Sequence, residues 1–185
     1  MDCLTIPAMD LYVFPSVSLR NIQIGVDRKM WAVAPIGEPY ASLRAARSRA
    51  MPIGAAGLFY CSAHPEFFTA PFLVESQPED RPIDGVWDER RFLPFAIRPL
   101  GDPSRLVTLA HAYKTWQRLK EVEIVTDAIN LGPATAFDST WFPRVDWDLI
   151  LEQMHINSEE FEDLFQMIDA LNSSASVEGS SRVEC

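Results

Sequence analysis

The chain has 185 residues and a mass of 20.9 kDa, a size that suits one domain with room for an appendage. With 48% hydrophobic and 11% aromatic residues it can bury a core, which excludes wholesale disorder. The net charge of −10 argues against a nucleic-acid partner, but the charge is unevenly distributed. Residues 138–185 contain 11 acidic and 2 basic side chains, whereas residues 1–137 contain 15 and 14. A nucleic-acid partner therefore stays open for the first three quarters of the chain.

Several classes of protein are excluded by composition. No apolar run approaches the roughly 18–20 residues that a membrane span needs. The start of the chain lacks the basic and long apolar regions of a signal peptide. Cys3, Cys61 and Cys185 are odd in number and far apart, which fits neither a disulfide framework nor a cysteine metal site. We expect a cytoplasmic protein that makes no membrane contact.

The first hundred residues read as a series of short strands. Five apolar runs bounded by Pro, Gly and polar residues predict strands, at residues 11–14, 30–34, 57–61, 67–74 and 91–100. Pro94 interrupts the last run, which favours an edge strand or a bulge. The Arg-rich segment at residues 42–49 has little apolar periodicity and predicts an exposed helix or loop. Short strands with long Pro-bearing loops are typical of small barrels.

Helical patterns dominate the remainder. Asp102 as N-cap and Pro103 at the first helical position predict a helix that runs on to Trp116. Short strands are expected at residues 121–125 and 134–137, and a helix at 145–154. An acidic helix from Asn157 to Leu171 and a disordered Ser-rich tail follow. The predicted organisation is a domain at 1–152, an acidic helix within 153–171 and a tail at 172–185.

Motifs for catalysis and metal binding are sparse. His64, His111 and His155 have no neighbouring His or Cys at metal-ligand spacing, and Gly-rich phosphate loops and nucleophile elbows are missing from the sequence. Cys61 and His64 are close enough in sequence to imagine a nucleophile and its base, but a strand cysteine is more often a small buried residue. We therefore expect no catalytic residue, no metal and no cofactor.

Arginines form the first feature that stands out. Three lie together without an acid at Arg44, Arg47 and Arg49, and further ones follow at Arg90, Arg91 and Arg98. Guanidinium groups match phosphate geometry, so such a cluster could hold a nucleic-acid backbone. The alternative is a solvated helix face that pairs with the acidic end of the chain.

Aromatic residues near loops form the second feature. Trp31, Tyr40, Tyr60 and Trp87 could surround a slot in which an unstacked base is held between flat rings. The alternative for each of them is an ordinary place in the core. Trp87 is the best candidate for a site because it lies in a polar loop with Asp84 and Arg90.

The order of segments carries a resemblance to a known family. The pattern begins with a Trp-bearing strand at residues 30–33, which leads to the Arg-rich segment. A strand with Phe59 and Tyr60 follows, introduced by Met51-Pro52-Ile53-Gly54. The pattern ends with an apolar strand, Phe72-Leu73-Val74-Glu75, and then Pro82, Trp87 and Arg98-Pro99-Leu100. This order resembles the EVE domain of the PUA-like superfamily, which is related to YTH and ASCH domains. The match extends over about residues 19–152. The chain departs from the family pattern at Ala55-Ala56, where an acidic residue often follows the glycine, and at Cys61, where many members have histidine.

The resemblance implies an α+β fold: a PUA-like small β-barrel of about six strands flanked by helices, with a C-terminal helical extension. It also implies a pocket that accepts a flipped, often methylated base. Carried over by position, Trp31, Tyr60 and Trp87 would form the base pocket, and Arg44, Arg47, Arg49 and Arg90 would contact phosphates. The lead-in around Asn21 and Gly25 resembles versions found in prokaryotic modification-dependent restriction systems.

Three functions follow from the sequence. The leading hypothesis is a non-catalytic reader of DNA or RNA that recognises a modified base, in defence or in RNA metabolism. The second is an interaction protein in which residues 157–171 dock on a protein partner or fold back over the basic cluster. The third is an enzyme on the same fold, with Cys61 or an acidic residue as the reacting group.

Overall fold

A computed structural model describes residues 8–154 of the chain, and these form one sheet flanked by helices. The strands are β1 (Ala8–Ser16), β2 (Met30–Val33), β3 (Ala56–Cys61), β4 (Phe67–Val74), β5 (Pro82–Ile83), β6 (Arg91–Pro99), β7 (Leu106–Thr108) and β8 (Thr140–Pro143). The helices are α1 (Leu19–Asp27), α2 (Tyr40–Ser48), α3 (Leu109–Thr115), α4 (Gln117–Lys120) and α5 (Arg144–Met154), with 3₁₀ turns at Val125–Asp127 and Pro133–Thr135. The predicted α+β class is confirmed.

The sheet is open, whereas the sequence analysis expected a small β-barrel of about six strands. Its main path runs β2-β6-β4-β3-β1-β8, while β5 adds to β6 and β7 adds to β4. β1 and β3 pair in parallel and every other pairing is antiparallel. Within residues 8–154 the terminal strands β2 and β8 do not pair with each other, so the sheet has eight strands and two ends.

Strand alternation produces two separate apolar clusters, one on each face of the sheet. In β1, Leu11 and Val13 belong to the cluster under α3, α4 and α5, while Tyr12 and Phe14 belong to the cluster under α1. Successive side chains of a strand point to opposite faces, and both faces of β1 are covered. Position along a strand therefore decides which cluster a residue joins.

Pro94 lies at a β-bulge, as the sequence suggested, but β6 is not an edge strand. Phe92 pairs with Val33 and Phe95 with Trp31, so two residues of β6 oppose one residue of β2. The extra residue adopts a left-handed conformation, with φ of 56° at Leu93. The bulge accommodates a proline that cannot donate to the ladder, while β6 pairs with β2, β4 and β5.

Several element predictions between residues 102 and 137 are wrong. The helix begins at Leu109 with Thr108 as its N-cap, and the preceding residues Leu106–Thr108 form β7 instead. The Asp102 side chain accepts hydrogen bonds from the backbone and hydroxyl of Ser104 in a turn. The stretches 121–125 and 134–137 are not strands but loops that carry the two 3₁₀ turns.

The other predictions have mixed outcomes. Five predicted strands correspond to β1, β2, β3, β4 and β6, and the helix expected at 145–154 is α5. The Arg-rich segment is the helix α2, but Arg44 and Ser48 on it are buried rather than exposed. The acidic helix and the Ser-rich tail lie outside the described residues.

Candidate functional site

Trp31 is held rigidly at the end of the sheet. It lies in the terminal strand β2 opposite Phe95, is only 2% exposed and packs on Phe59 with ring centroids 4.6 Å apart. Gly25 of α1 approaches it so closely that an added Cβ would lie 2.7 Å from Trp31 Cε3. The absence of a side chain at Gly25 therefore lets α1 rest on the indole, and the lead-in glycine has a packing role.

Trp87 lies in the loop at residues 84–90. Gly85 gives this loop a positive φ of 76°, and Arg90 bridges back to both carboxylate oxygens of Asp84, at 2.8 and 3.2 Å. The Trp87 indole is 5% exposed, and its Nε1 donates to the carbonyl oxygen of Asn21 at 3.0 Å. The loop thus places Trp87 over the N-terminal half of α1, next to Trp31.

The structure brings Trp31 and Trp87 together around Arg91, the first residue of β6. The two rings lie 5.6 Å apart between centroids at an interplanar angle of 82°, an edge-to-face contact. The Arg91 Cζ atom is 4.9 Å from the Trp31 centroid and 4.7 Å from the Trp87 centroid. Both distances suit cation–π attraction. The two tryptophans predicted to form the base pocket therefore contact each other and a guanidinium. We call these three residues the Trp31–Arg91–Trp87 cluster.

Arg91 is a buried cation with few partners. The residue is 4% exposed, and burial lowers the pKa of its guanidinium, a trend that the nearby Glu89 carboxylate opposes. Nη1 donates to the carbonyl oxygen of Ala32 at 3.1 Å, whereas Nη2 lies 3.8 Å from Glu89 Oε1, beyond hydrogen-bond distance. Nε is buried and has no hydrogen-bond partner among the described residues. The guanidinium stays charged because arginine does not lose its proton in proteins.

The structure does not bring Tyr60 to the tryptophans. Phe59 and Tyr60 are consecutive in β3, so they face opposite sides of the sheet, and only Phe59 reaches Trp31. Tyr60 packs against Phe68 in the cluster below α3, and its hydroxyl donates to Glu66 Oε1 at 2.6 Å. Alternation along β3 separates Tyr60 from Trp31 by the thickness of the sheet.

Arg44 and Arg47 are occupied within the fold. Arg44 is buried, and its guanidinium donates to the carbonyl oxygens of Ala34 at 2.5 Å and Pro133 at 3.3 Å. Arg47 donates to the carbonyl oxygen of Ala134 at 2.7 Å and pairs with Asp138 at 2.9 Å. These two arginines tie α2 to the loop around Pro133, so the donors expected to contact phosphate are directed into the protein.

The remaining arginines of the predicted interface are exposed and paired with carboxylates. Arg49 contacts Asp80 at 3.1 Å, and Arg90 is bound to Asp84 within its own loop. Arg98 contacts Glu75 at 2.6 Å. A phosphate that approached any of them would have to compete with the carboxylate already there.

Other chemistry within the described part of the chain is limited. Residues 8–154 contain no group of three or more His, Cys, Asp or Glu side chains that could hold a metal ion. Cys61 is buried in the apolar cluster that also contains Trp31. None of the helices between residues 8 and 154 has the length and apolarity to span a membrane.

Comparison with known proteins finds solved structures that share this fold. No protein-family model matches the sequence, and no curated protein matches it. Solved structures do match. The YTH domain of Zygosaccharomyces rouxii MRB1, solved with N6-methyladenosine RNA, has a TM-score of 0.52 at 20% identity, covering 77% of this chain and 84% of that one. The Pho92 YTH domain in complex with m6A has a TM-score of 0.52 at 14% identity, covering 84% and 89%. The Toxoplasma CPSF4 YTH domain, solved without ligand, reaches 0.50 at 14% identity, covering 82% and 90%.

This chain has a YTH-like fold. The sequence-based prediction of an α+β fold related to that of YTH domains is confirmed by these matches. Assignment to the EVE branch stays a prediction. At these identities the matches establish the architecture of the YTH-like domain, and its ligand has to be argued from its own residues.

Proposed function

We propose that this YTH-like domain is a non-catalytic reader of a modified base in DNA or RNA, and that the base binds at the Trp31–Arg91–Trp87 cluster. The observation that carries the proposal is the meeting of two tryptophans and a cation at the end of the sheet. Indole faces bind unstacked bases, and such stacking contributes about 1–3 kcal/mol per base. Two solved structures with this fold, the Z. rouxii and Pho92 YTH domains, hold N6-methyladenosine ligands.

Base entry would require Trp87 to move. Both indoles are almost fully buried, and their edge-to-face contact leaves no parallel slot between them. Trp31 lies in a sheet strand and is fixed from behind by Gly25 and Phe59, whereas Trp87 is carried by a loop. In this proposal the loop at 84–90 is the wall that moves, and Trp31 is the fixed wall.

Contacts to the nucleic-acid backbone would come from Arg49 and Arg90. Each would exchange a carboxylate, Asp80 or Asp84, for a phosphate, so little net positive charge is gained. Affinity from counterion release grows with the number of phosphates neutralised, and it falls as salt rises. We expect modest affinity with a shallow salt dependence. In this proposal Arg44 and Arg47 support the fold, and Tyr60 supports the sheet from its other face.

Titration of labelled single-stranded oligonucleotides at low salt tests the proposal. Matched DNA and RNA sequences would carry an unmodified base, N6-methyladenine or 5-methylcytosine at one central position, with fluorescence anisotropy as the readout. We expect binding that differs between modified and unmodified oligonucleotides. Lack of binding to every oligonucleotide at low salt would rule out the reader function.

Variants of Trp87 locate the site. Trp87→Ala should abolish the base-selective part of binding while circular dichroism shows a folded protein. Trp87→Leu keeps apolar volume without the aromatic face and should have the same effect on binding. Trp141→Ala is the matched control, since Trp141 lies in β8 at the opposite end of the sheet. Equal losses in the Trp87 and Trp141 variants would argue against the cluster as the binding site.

A further inference from the structure

Arg91 presents an unused pair of hydrogen-bond donors inside the proposed site. Of the buried guanidinium, Nη1 is engaged by the carbonyl oxygen of Ala32. Nε has no partner in the described part of the chain, and Nη2 reaches only to 3.8 Å from Glu89 Oε1. The Nε and Nη2 hydrogens point the same way along one edge of the planar group. A buried donor without an acceptor is costly, so this edge is suited to an acceptor that comes from outside.

We propose that Arg91 selects the base, and that the selected base presents two adjacent acceptors to the Nε–Nη2 edge. This inference rests on the proposed reader function. The guanidinium is held by contacts that do not depend on Trp87: its Cζ lies 4.9 Å from the centroid of the fixed Trp31 ring, and Nη1 donates to the Ala32 carbonyl oxygen at 3.1 Å, so the direction of the fork is kept when Trp87 moves. A donor pair held in one plane pairs best with two acceptors side by side.

Two bases carry such a pair. Guanine presents O6 beside N7, the pair to which arginine most commonly binds in DNA complexes, and a flipped cytosine presents N3 beside O2 on its pairing edge. Adenine places its N6 amino donor beside N7 and N1. Thymine and uracil place an N–H donor between their two carbonyl groups. A methyl group on carbon 5 of cytosine leaves N3 and O2 free. The site should therefore accept guanine or cytosine, including a modified form such as 5-methylcytosine, and reject adenine and N6-methyladenine.

The deciding experiment varies one base in an otherwise constant strand. Single-stranded heptamers of thymine, and the same heptamers of uracil in RNA, would carry guanine, cytosine, 5-methylcytosine, adenine, N6-methyladenine or thymine at the centre. We expect guanine or cytosine to bind at least roughly tenfold more tightly than adenine and thymine, the size of effect typical of a bidentate contact. Replacement of guanine by 7-deazaguanine, which lacks N7, removes the preference if guanine is the ligand and has no bearing on a cytosine preference.

Each outcome has a distinct meaning. Tight binding that is equal for all bases, or a preference for adenine or N6-methyladenine, overturns the role of Arg91 and leaves the reader function standing. No binding to any heptamer overturns both. Because this comparison uses the unaltered protein, it does not depend on whether an Arg91 variant folds.

A conservative substitution then assigns the preference to the guanidinium. Arg91→Lys keeps a cation near the indoles but loses the fork, so the preference for guanine or cytosine should fall to within about twofold of adenine. Arg118→Lys is the matched control, because the Arg118 guanidinium also lies over an indole, with Cζ 5.4 Å from the Trp141 centroid, but at the opposite end of the sheet, and it should keep the full preference. Retention of the preference in Arg91→Lys would overturn the proposal.

Discussion

The tip of the Phe72 ring occupies the position where a side chain would begin on Gly57, its partner on the neighbouring strand. A Cβ atom on Gly57 would come within 2.2 Å of Phe72 Cζ, in the apolar cluster that also holds Trp31. Phe72 also packs on Phe59 with centroids 4.7 Å apart. The absence of a side chain at Gly57 therefore makes room for Phe72, which supports Phe59, the ring that packs on Trp31.

Gly57→Ala should destabilise the protein, because the Phe72 ring has to move within a closely packed cluster. Overpacking of this kind costs about 1–3 kcal/mol. Gly37→Ala is the matched control, since an added Cβ there meets nothing within 4 Å. Urea unfolding followed by circular dichroism measures both. A Gly57 variant as stable as the Gly37 variant would show that Phe72 can shift freely.

Arg44→Ala should lower the stability of the domain without a direct effect on phosphate contacts. It removes charged hydrogen bonds to two backbone carbonyls, at Ala34 and Pro133, and we expect a loss of about 2 kcal/mol. Arg49→Ala removes one exposed ion pair with Asp80 and should change stability by no more than about 0.5 kcal/mol. Thermal unfolding separates the two. Similar melting temperatures for both variants would contradict the structural role of Arg44.

Asp146→Ala should loosen the contact between α4 and α5. The buried carboxylate accepts hydrogen bonds from the backbone amides of Gln117 and Arg118, both at 2.7 Å, and so caps the start of α4 from a distant helix. Loss of both acceptors leaves two amides without partners, and we expect a cost of about 2 kcal/mol. Asp148→Ala, which removes an i,i+4 pair with Arg144, should cost about 0.5 kcal/mol or less. Denaturant unfolding of the two variants gives the comparison.

Tyr60 should make stability fall at alkaline pH. Burial raises the pKa of its hydroxyl well above the usual value near 10, and the hydrogen bond to Glu66 raises it further. Because the folded-state pKa is the higher one, the stabilisation is fully present below about pH 10 and is lost as pH rises above that value.

Tyr60→Phe keeps the ring contact with Phe68 but has no proton to lose. The stability advantage of the native protein over this variant should therefore stay constant from pH 9 to about pH 10 and shrink from there to pH 11.5. Unfolding free energies measured at several pH values across that range test the effect. A constant difference would show that the Tyr60–Glu66 hydrogen bond is not linked to proton binding.

Local sequence patterns predicted the strands well because each is a short apolar run with clear boundaries. They failed at residues 102–108, where local signals favoured a helix. There the buried Thr69 hydroxyl donates to the carbonyl oxygens of Pro103 and Arg105, and Phe67 pairs with Thr108. These contacts with β4 hold residues 103–108 out of a helix, and their sequence separation hides them from local pattern analysis.

Contacts between residues that are distant in sequence also explain why the candidate site could be predicted only in part. The sequence indicated Trp31 and Trp87, and the fold brings them together. It also indicated Arg44 as a phosphate ligand, but its partner Pro133 lies 89 residues away and could not be foreseen. Arg91 was grouped with the other arginines, and only the pairing of β2 with β6 distinguishes it by placing it beside Trp31. A basic residue that opens an apolar strand is a sequence feature that could have identified it.

The position of β1 has a consequence for how the chain is made. β1 leaves the ribosome before every other strand of the sheet, yet it lies between β3 and β8, and β8 is completed only at Pro143. The edge of β1 that pairs with β8 therefore stays unpaired until nearly all of the described chain has been synthesised. Contacts so distant in sequence slow folding, and an exposed strand edge invites pairing with other chains. Expression at low temperature, or with a chaperone that shields nascent strands, should raise the yield of native protein.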